Sequence, residues 1–327
     1  MLSILLPVNK HTQYFYQVIE SLVKSVAVLD VPTQLVVITN NLNQEEEMLV
    51  FKELESYSFE KEVRHSSAKN LSDALNFGLT FCKYDLVARM DQDDITFPNR
   101  FKEQILYLSE HSNTALIGGQ VILINAQNKV IGRSSYPTSQ KTCNKQLKIT
   151  NCFAHPAVMF RKNCVIAVGG YMNDFPMAED YYLWVRLNKF WELTNLSTNV
   201  LKYRIHDSQV TSSNLVLQLS STLQIIALNF AINKEKLQFE IENLLDENKK
   251  DFIKAIFSVP TLRAHSKFRA SIAIMILRRG KLYTGSTLPR SLFLIIIALR
   301  SNPILTLEEI SKYFLRIFKR FYVANEL

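Results

Sequence analysis

The sequence predicts an α/β fold: a mixed, mainly parallel sheet with flanking helices, followed by a helical C-terminal region. Three observations carry this. Short apolar runs alternate with amphipathic segments in the order β-α-β-α-β-α-β by residue 95, the pattern of a parallel sheet with covering helices. The last of these runs, Leu86 to Ala88, leads into Asp91-Gln92-Asp93-Asp94. A strand does not bury such a cluster without compensation, so the carboxylates belong at a strand's carboxyl end. From Leu215 onward the composition changes to amphipathic, basic and apolar helices. The expected division is therefore a sheet domain over residues 1–214 and a helical region over 215–327.

The elements follow in order. Ser3 to Val8 is a buried first strand, and Asn9 to Thr12 a polar turn. Tyr14 to Val28 has helical spacing through Phe15, Val18, Ile19, Leu22 and Val26, and Pro32 ends it. Gln34 to Thr39 is a second buried strand, closed by the turn Asn40-Asn41. Glu45 to Tyr57 is an amphipathic helix, Glu62 to His65 a short strand, and Asn70 to Cys82 a helix with Ala74, Leu75 and Leu79 on one side. Pro98 to His111 is a helix with Phe101, Ile105 and Leu108 inward. Leu116 to Leu123 is a strand whose Gly118-Gly119 pair allows a close backbone approach, with Val130 to Arg133 as its hairpin partner. Thr138 to Lys148 is polar and basic. Ala157 to Arg161 is a strand, Gly169-Gly170-Tyr171 a turn, Ala178 to Phe190 a helix and Leu201 to Ile205 a last short strand. Leu215 to Asn229 and Glu235 to Phe257 are helices. Arg263 to Tyr283, Arg290 to Arg300 and Ile310 to Tyr322 mix basic with apolar or aromatic residues.

Composition narrows the class. Hydrophobic content of 47% and charged content of 21% exclude a disordered chain. The net charge of +8 favours an anionic partner. Many of the basic residues fall after Lys249, away from the acidic cluster, and no RNA- or DNA-binding module is recognisable, so a nucleic-acid partner is not expected. Cys82, Cys143, Cys152 and Cys164 form no C-x-x-C pair and fit a reduced, cytoplasmic compartment. The first residues lack the basic and long apolar regions of a signal peptide, and no apolar run reaches the ~18 residues of a membrane span. Neither G-x-G-x-x-G nor G-x-x-x-x-G-K-[ST] occurs, so a bound nucleotide would need a metal for its phosphates.

The chemistry-bearing residues sit at element ends. Asp91 and Asp93, two apart, can aim at one side and share a Mg²⁺ or Mn²⁺ ion, which hard oxygen ligands suit. A bare D-x-D-D also describes a solvated acidic turn. Glu179-Asp180 opens a helix, where a carboxylate offers a general base but is also favoured by the helix dipole. His206 ends the last strand and can complete a metal shell or touch a diphosphate. Lys69 and Arg89 can approach a diphosphate or serve the structure. His155, before Pro156, reads as a structural histidine, and Trp184 and Trp191 as core.

Six segments together carry a resemblance: SILLPVNK, NLSDALNFGL, LVARMDQDDITFPNRF, HPAVMFRK, AEDYYLWVRL and YRIHDSQVTSS, spread over about residues 3–213. Their order resembles the family 2 glycosyltransferases of GT-A fold that build bacterial lipopolysaccharide, O-antigen and capsule. The resemblance implies an inverting transferase. Asp91 and Asp93 match the D-x-D that holds the cation and the sugar nucleotide, Asp93 as direct metal ligand and Asp91 beside the ribose or donor sugar. Asp180 matches the catalytic base, Glu179 its support, and His206 a histidine near the metal and diphosphate. Pro7 and Val8 fall beside the nucleoside base. The family often has an Asp after its second strand; Asn40 stands here and hydrogen-bonds without a charge.

The implied donor is a UDP-sugar and the implied acceptor a saccharide or a lipid-linked one, such as an undecaprenyl-diphosphate saccharide. Basic residues beside apolar faces in the C-terminal region fit an anionic membrane surface, hence a peripheral position at the inner face of the cytoplasmic membrane. They equally fit a packed subdomain or a dimer interface. The rival readings are a metal-dependent nucleotidyl or phosphoryl transferase and an inactive glycosyltransferase-like binding protein.

Overall fold

A computed structural model of the chain describes residues 1–55, 57, 59–206, 215–230, 232–233, 235–237, 240 and 272. The expected segments Arg263 to Tyr283, Arg290 to Arg300 and Ile310 to Tyr322 lie outside these described residues, apart from Ile272, as does most of Glu235 to Phe257.

The amino-terminal half alternates as its apolar pattern demands: β1 (Leu2–Val8), α1 (Phe15–Val26), β2 (Thr33–Asn40), α2 (Gln44–Glu55), β3 (Glu60–Ser66), α3 (Leu71–Phe81) and β4 (Leu86–Arg89). There follow β5 (Ile95–Thr96), α4 (Arg100–Glu110), β6 (Thr114–Asn125), β7 (Val130–Arg133), α5 (Gln140–Leu147), a 3₁₀ turn (His155–Ala157), β8 (Met159–Arg161), α6 (Lys162–Ala167), α7 (Glu179–Leu187), β9 (Glu192–Ile205) and α8 (Leu215–Leu228).

The strands form one sheet in the order β3-β2-β1-β4-β8-β6-β9-β5, with β7 paired to β6. β1 pairs in parallel with both β2 and β4, β2 with β3, and β6 with β9. β8 runs antiparallel between β4 and β6, so the sheet is mixed and mainly parallel. The core packs the inward faces of β1 and β2 (Ile4, Leu6, Val8, Leu35, Val37) against Phe15, Val18, Ile19 and Leu22 of α1 and Phe101 and Leu108 of α4. From β1 the chain steps outward to β2 and β3, then returns to β4 on β1's other side. Such a reversal opens a crevice at the carboxyl ends of the strands, where sheets of this kind take ligands.

Some elements depart from expectation for local reasons. β9 starts at Glu192 and not near Leu201. It pairs with β6 along its length, but with register shifts, and Ser197–Asn199 are exposed, which erases the apolar alternation a reader would follow. The polar 138–148 stretch contains helix α5, which buries only Cys143 and Leu147 and so shows no apolar stripe. β5 has two residues, held by antiparallel pairing of Ile95 with Lys202 and Thr96 with Leu201. The Gly118-Gly119 pair does mark a close approach: a Cβ on Gly118 would lie 2.2 Å from Asn195 Oδ1, and one on Gly119 2.5 Å from Val200 Cγ1.

Residues 1–147 and 151–213 form one compact unit, and residues 148–150 with 214–327 a second. The first holds the sheet. The second includes α8. Among the described residues no helix is long and apolar enough to cross a membrane. All four cysteines are buried, and none is in a disulfide among the described residues.

Candidate active site

β4 ends at Arg89, and the next residues turn away from the sheet with their carboxylates at its carboxyl edge. Oxygens of Asp91, Asp93 and Asp94 lie within 4.8 Å of one another. Two fully buried arginines hold this turn. Arg204 (0% exposed), on β9, donates Nε to the Asp93 carbonyl (2.7 Å), Nη1 to Asn128 Oδ1 (2.7 Å) and Nη2 to Gln17 Oε1 (3.0 Å). Its guanidinium also lies 4.1 Å from the centre of the Tyr14 ring, and its backbone N–H reaches Asp94 Oδ1 at 2.7 Å. Arg100 of α4 donates to the carbonyls of Arg89 (2.8 Å) and Val158 (3.2 Å), and burial pulls its guanidinium down to about 9.

Gln92, between the acids, ties the turn to the end of β1. Its Oε1 accepts from the Asn9 N–H (2.8 Å), and its Nε2 donates to Asn9 Oδ1 (3.0 Å). His206 follows β9 directly, with Nε2 2.9 Å from Asp93 Oδ2 and its ring beside Tyr14 at 5.5 Å. Arg89 is 2% exposed and pairs with Asp91 at 2.5 Å. Burial and the neighbouring carboxylates raise both Asp93 and Asp94 above the usual carboxylate range.

The donor set fits a hard divalent cation. It consists of three carboxylates, and one of them, Asp94 (1% exposed), buries Oδ2 with no hydrogen-bond partner among the described residues. An orphaned buried carboxylate oxygen is costly unless something positive meets it. The sequence reading gave the metal to Asp91, Asp93 and His206. The structure draws Asp94 into the same cluster, and its neighbour position in the D-x-D-D run is the signal for it.

The second acidic group opens α7. Asp180 Oδ1 accepts from the Tyr181 N–H (2.6 Å), and Oδ2 accepts from Asn151 Nδ2 (2.8 Å). Glu179 is pushed up to about 7, chiefly by burial and then by the Asp180 charge. Arg89 lowers it in part, and Asp91 adds to the rise, so the two acidic groups lie within each other's field. Behind them, half-buried His155 has Nε2 3.0 Å from the Tyr171 hydroxyl, and desolvation holds it well below the usual histidine range. Trp184 is fully buried, as a core residue should be.

The remaining predicted site residues line the same edge at greater remove. Pro7 and Val8 are buried at the end of β1. Asn40, at the end of β2, is 5% exposed and donates Nδ2 to the Ala68 carbonyl at 2.6 Å. Lys69 is exposed in the turn before α3 and makes no hydrogen bond or ion pair among the described residues. Sequence reasoning missed Arg204 and Asn151. An arginine inside the short run Leu201 to Ile205 was a readable signal for the first; nothing in the sequence pointed to the second.

Comparison with known proteins gives the family. The profile of a family described as glycosyltransferase like family 2 matches residues 3–223. The O-antigen biosynthesis glycosyltransferase WbnJ of Escherichia coli is 33% identical over 223 residues, 66% of this chain and 84% of that one. A UDP-Gal:alpha-D-GlcNAc-diphosphoundecaprenol beta-1,3-galactosyltransferase of Escherichia coli is 35% identical over 116 residues, 36% of this chain and 42% of that one. The fold is similar to the crystal structure of S. aureus TarS 1-349 in complex with UDP-GlcNAc, at a TM-score of 0.55 and 12% identity, over 95% of this chain and 87% of that one. The chain belongs to the glycosyltransferase-like family 2.

Proposed function

We propose that the protein is an inverting, metal-dependent glycosyltransferase of bacterial surface polysaccharide synthesis. It moves a hexose or N-acetylhexosamine from a UDP-sugar to a saccharide or lipid-linked saccharide acceptor. The observation that carries this reading is the electrostatic meeting of two acidic groups with different duties. The Asp91, Asp93 and Asp94 cluster suits a cation and a diphosphate, and the Glu179-Asp180 pair close by suits proton removal.

Asp93 and Asp91, with Asp94 and His206 beside them, would hold Mg²⁺ or Mn²⁺. Such an ion, when bound, offsets the charge that develops on a departing diphosphate. Asp180 takes the proton of the acceptor hydroxyl. The hydroxyl oxygen attacks the anomeric carbon opposite the leaving UDP, so an α-linked donor gives a β-linked product. Glu179, raised to about 7, is largely protonated below that pH, which leaves the charge of the pair on Asp180. Arg89, paired with Asp91, orients that carboxylate. Pro7 and Val8 flank the nucleoside base. With Nδ2 committed to Ala68, Asn40 offers Oδ1 as an acceptor for a base N–H such as that of uracil.

The donor and acceptor classes are supported by the galactosyltransferase relative, named for UDP-Gal and a diphosphoundecaprenol acceptor. A peripheral position at the inner face of the cytoplasmic membrane is supported by that acceptor class and by the basic, apolar sequence after Lys249. The catalytic part is assigned to residues 1–214.

The test is a panel of sugar nucleotides with Mn²⁺, read by thermal shift and by UDP release with a short-chain GlcNAc-diphospholipid acceptor. One UDP-sugar should stabilise the wild type only with metal. Asp93→Ala should lose that stabilisation, and Asp180→Asn should keep it while losing transfer. Full transfer by Asp180→Asn would sink the mechanism. Turnover of nucleoside triphosphates without acceptor would favour the nucleotidyl transferase. Binding without any turnover would favour a binding protein.

A further inference from the structure

We infer that Asn151 is a positioning residue for the reaction, aiming the Asp180 carboxylate and keeping it ionised; this rests on Asp180 acting as the base. Asn151 is held at both ends of its amide. Its Oδ1 accepts from the Phe153 N–H at 3.1 Å, which obliges Nδ2 to face Asp180, where it donates to Oδ2 at 2.8 Å. The other Asp180 oxygen accepts from the Tyr181 N–H at 2.6 Å. Both oxygens are thereby fixed by donors. Donors to the ionised form also favour that form.

The segment that carries Asn151 does not depend on this hydrogen bond for its place. Tyr181 Oη donates to the Leu147 carbonyl at 2.6 Å, and the Phe153 ring meets Trp184 edge-on at 6.4 Å. Asn195 Nδ2 also holds the Cys152 carbonyl at 3.2 Å. The segment is thus latched to α7 on either side of Asn151, through residues one and four positions beyond Asp180. Removing the Asn151 amide should leave the fold standing and release only the carboxylate.

Asn151→Asp makes the sharpest test. The new carboxylate still accepts from the Phe153 N–H, but it sets an anion against Asp180 where a donor stood. UDP release with the donor and acceptor of the panel above is measured for wild type, Asn151→Asp, Asn151→Ala and Asp180→Asn, each with its melting temperature. For Asn151→Asp we expect kcat at pH 7 to fall about tenfold or more, with the donor KM within about twofold. The acid limb of its pH profile should move up by about one unit. Asn151→Ala should lose kcat similarly with a smaller movement of the limb. Wild-type kcat and an unmoved limb in both Asn151 variants, with Asp180→Asn inactive, would overturn the role of Asn151 alone. A lowered melting temperature with an unmoved limb would do the same. Transfer by Asp180→Asn would overturn the base assignment, and this inference with it.

Discussion

Glu179→Gln should stabilise the protein, and by an amount that depends on pH. Glu179 rises from an ordinary 4.5 to about 7, first because it is buried and then because Asp180 is charged beside it. A carboxyl raised in the folded state binds a proton there that the unfolded chain has already released. Its ionisation therefore counts against folding as pH rises from the unfolded value through the folded one. The penalty is near zero at pH 4, about 2 kcal/mol at pH 6 and about 3 kcal/mol above pH 7.5, from the ~1.4 kcal/mol that each unit represents. Glutamine has the same shape and no charge to bury. The melting temperature of Glu179→Gln should thus match the wild type near pH 4.5 and exceed it by roughly 6 °C at pH 8. Melts of the two proteins over pH 4.5–8 read this as the difference between the two curves, in which groups far from Glu179 cancel. A constant difference across the range would refute the reasoning, and so would a variant less stable at pH 8 than at pH 5. The variant should also keep more transfer activity than Asp180→Asn, since in the proposed mechanism Glu179 supports the base and does not act as it.

Two further changes probe the scaffold. Arg204→Met fills the stem of the buried arginine but strands the Asp93 carbonyl, Asn128 and Gln17, so denaturant unfolding should show a loss of about 3–5 kcal/mol. If the variant still folds, its Mn²⁺-dependent stabilisation by UDP-sugar should weaken, because Arg204 shapes the turn that carries the acidic cluster. Gly118→Ala sets a methyl 2.2 Å from Asn195 Oδ1 between paired strands, and should cost about 1–3 kcal/mol in the same measurement; an unchanged midpoint would mean that β6 and β9 can part without loss.

What the sequence made legible was set by how directly burial writes itself into pattern. β1, β2 and α1 are buried along whole faces, so their apolar spacing is regular and their limits fall within a residue or two of expectation. β9 and α5 are not. β9 passes through a register shift where Ser197 to Asn199 face solvent, and α5 buries two residues in eight, so neither leaves a periodic trace. The same distinction runs through the site. Asp91, Asp93, Glu179, Asp180 and His206 are readable because charged and ionisable side chains at the ends of apolar elements are expensive unless used. Asn151 is neutral, lies in an irregular stretch, and meets the candidate site through the Asp180 carboxylate it touches, so no local pattern announces it.

The three-dimensional arrangement also supplies something that spacing alone does not: a reason for so much buried positive charge behind an acidic cleft. Arg89, Arg100 and Arg204 are all buried around the turn that follows β4. Arg100 and Arg204 donate to backbone carbonyls and neutral amides, and Arg89 pairs with Asp91 of the cluster. Three carboxylates held within 4.8 Å repel one another, and a fold without nearby positive charge would splay them or protonate them all. Arg204 fixes the backbone of Asp93 and the side chain of Asp94, so the cluster stays assembled although one of its oxygens has no hydrogen-bond partner among the described residues. Assembled in advance, such a cluster takes up a cation without first reorganising. The charge kept near Glu179 costs stability in the same way, so removing that one negative charge should raise the melting temperature while leaving the Asp91, Asp93 and Asp94 cluster assembled.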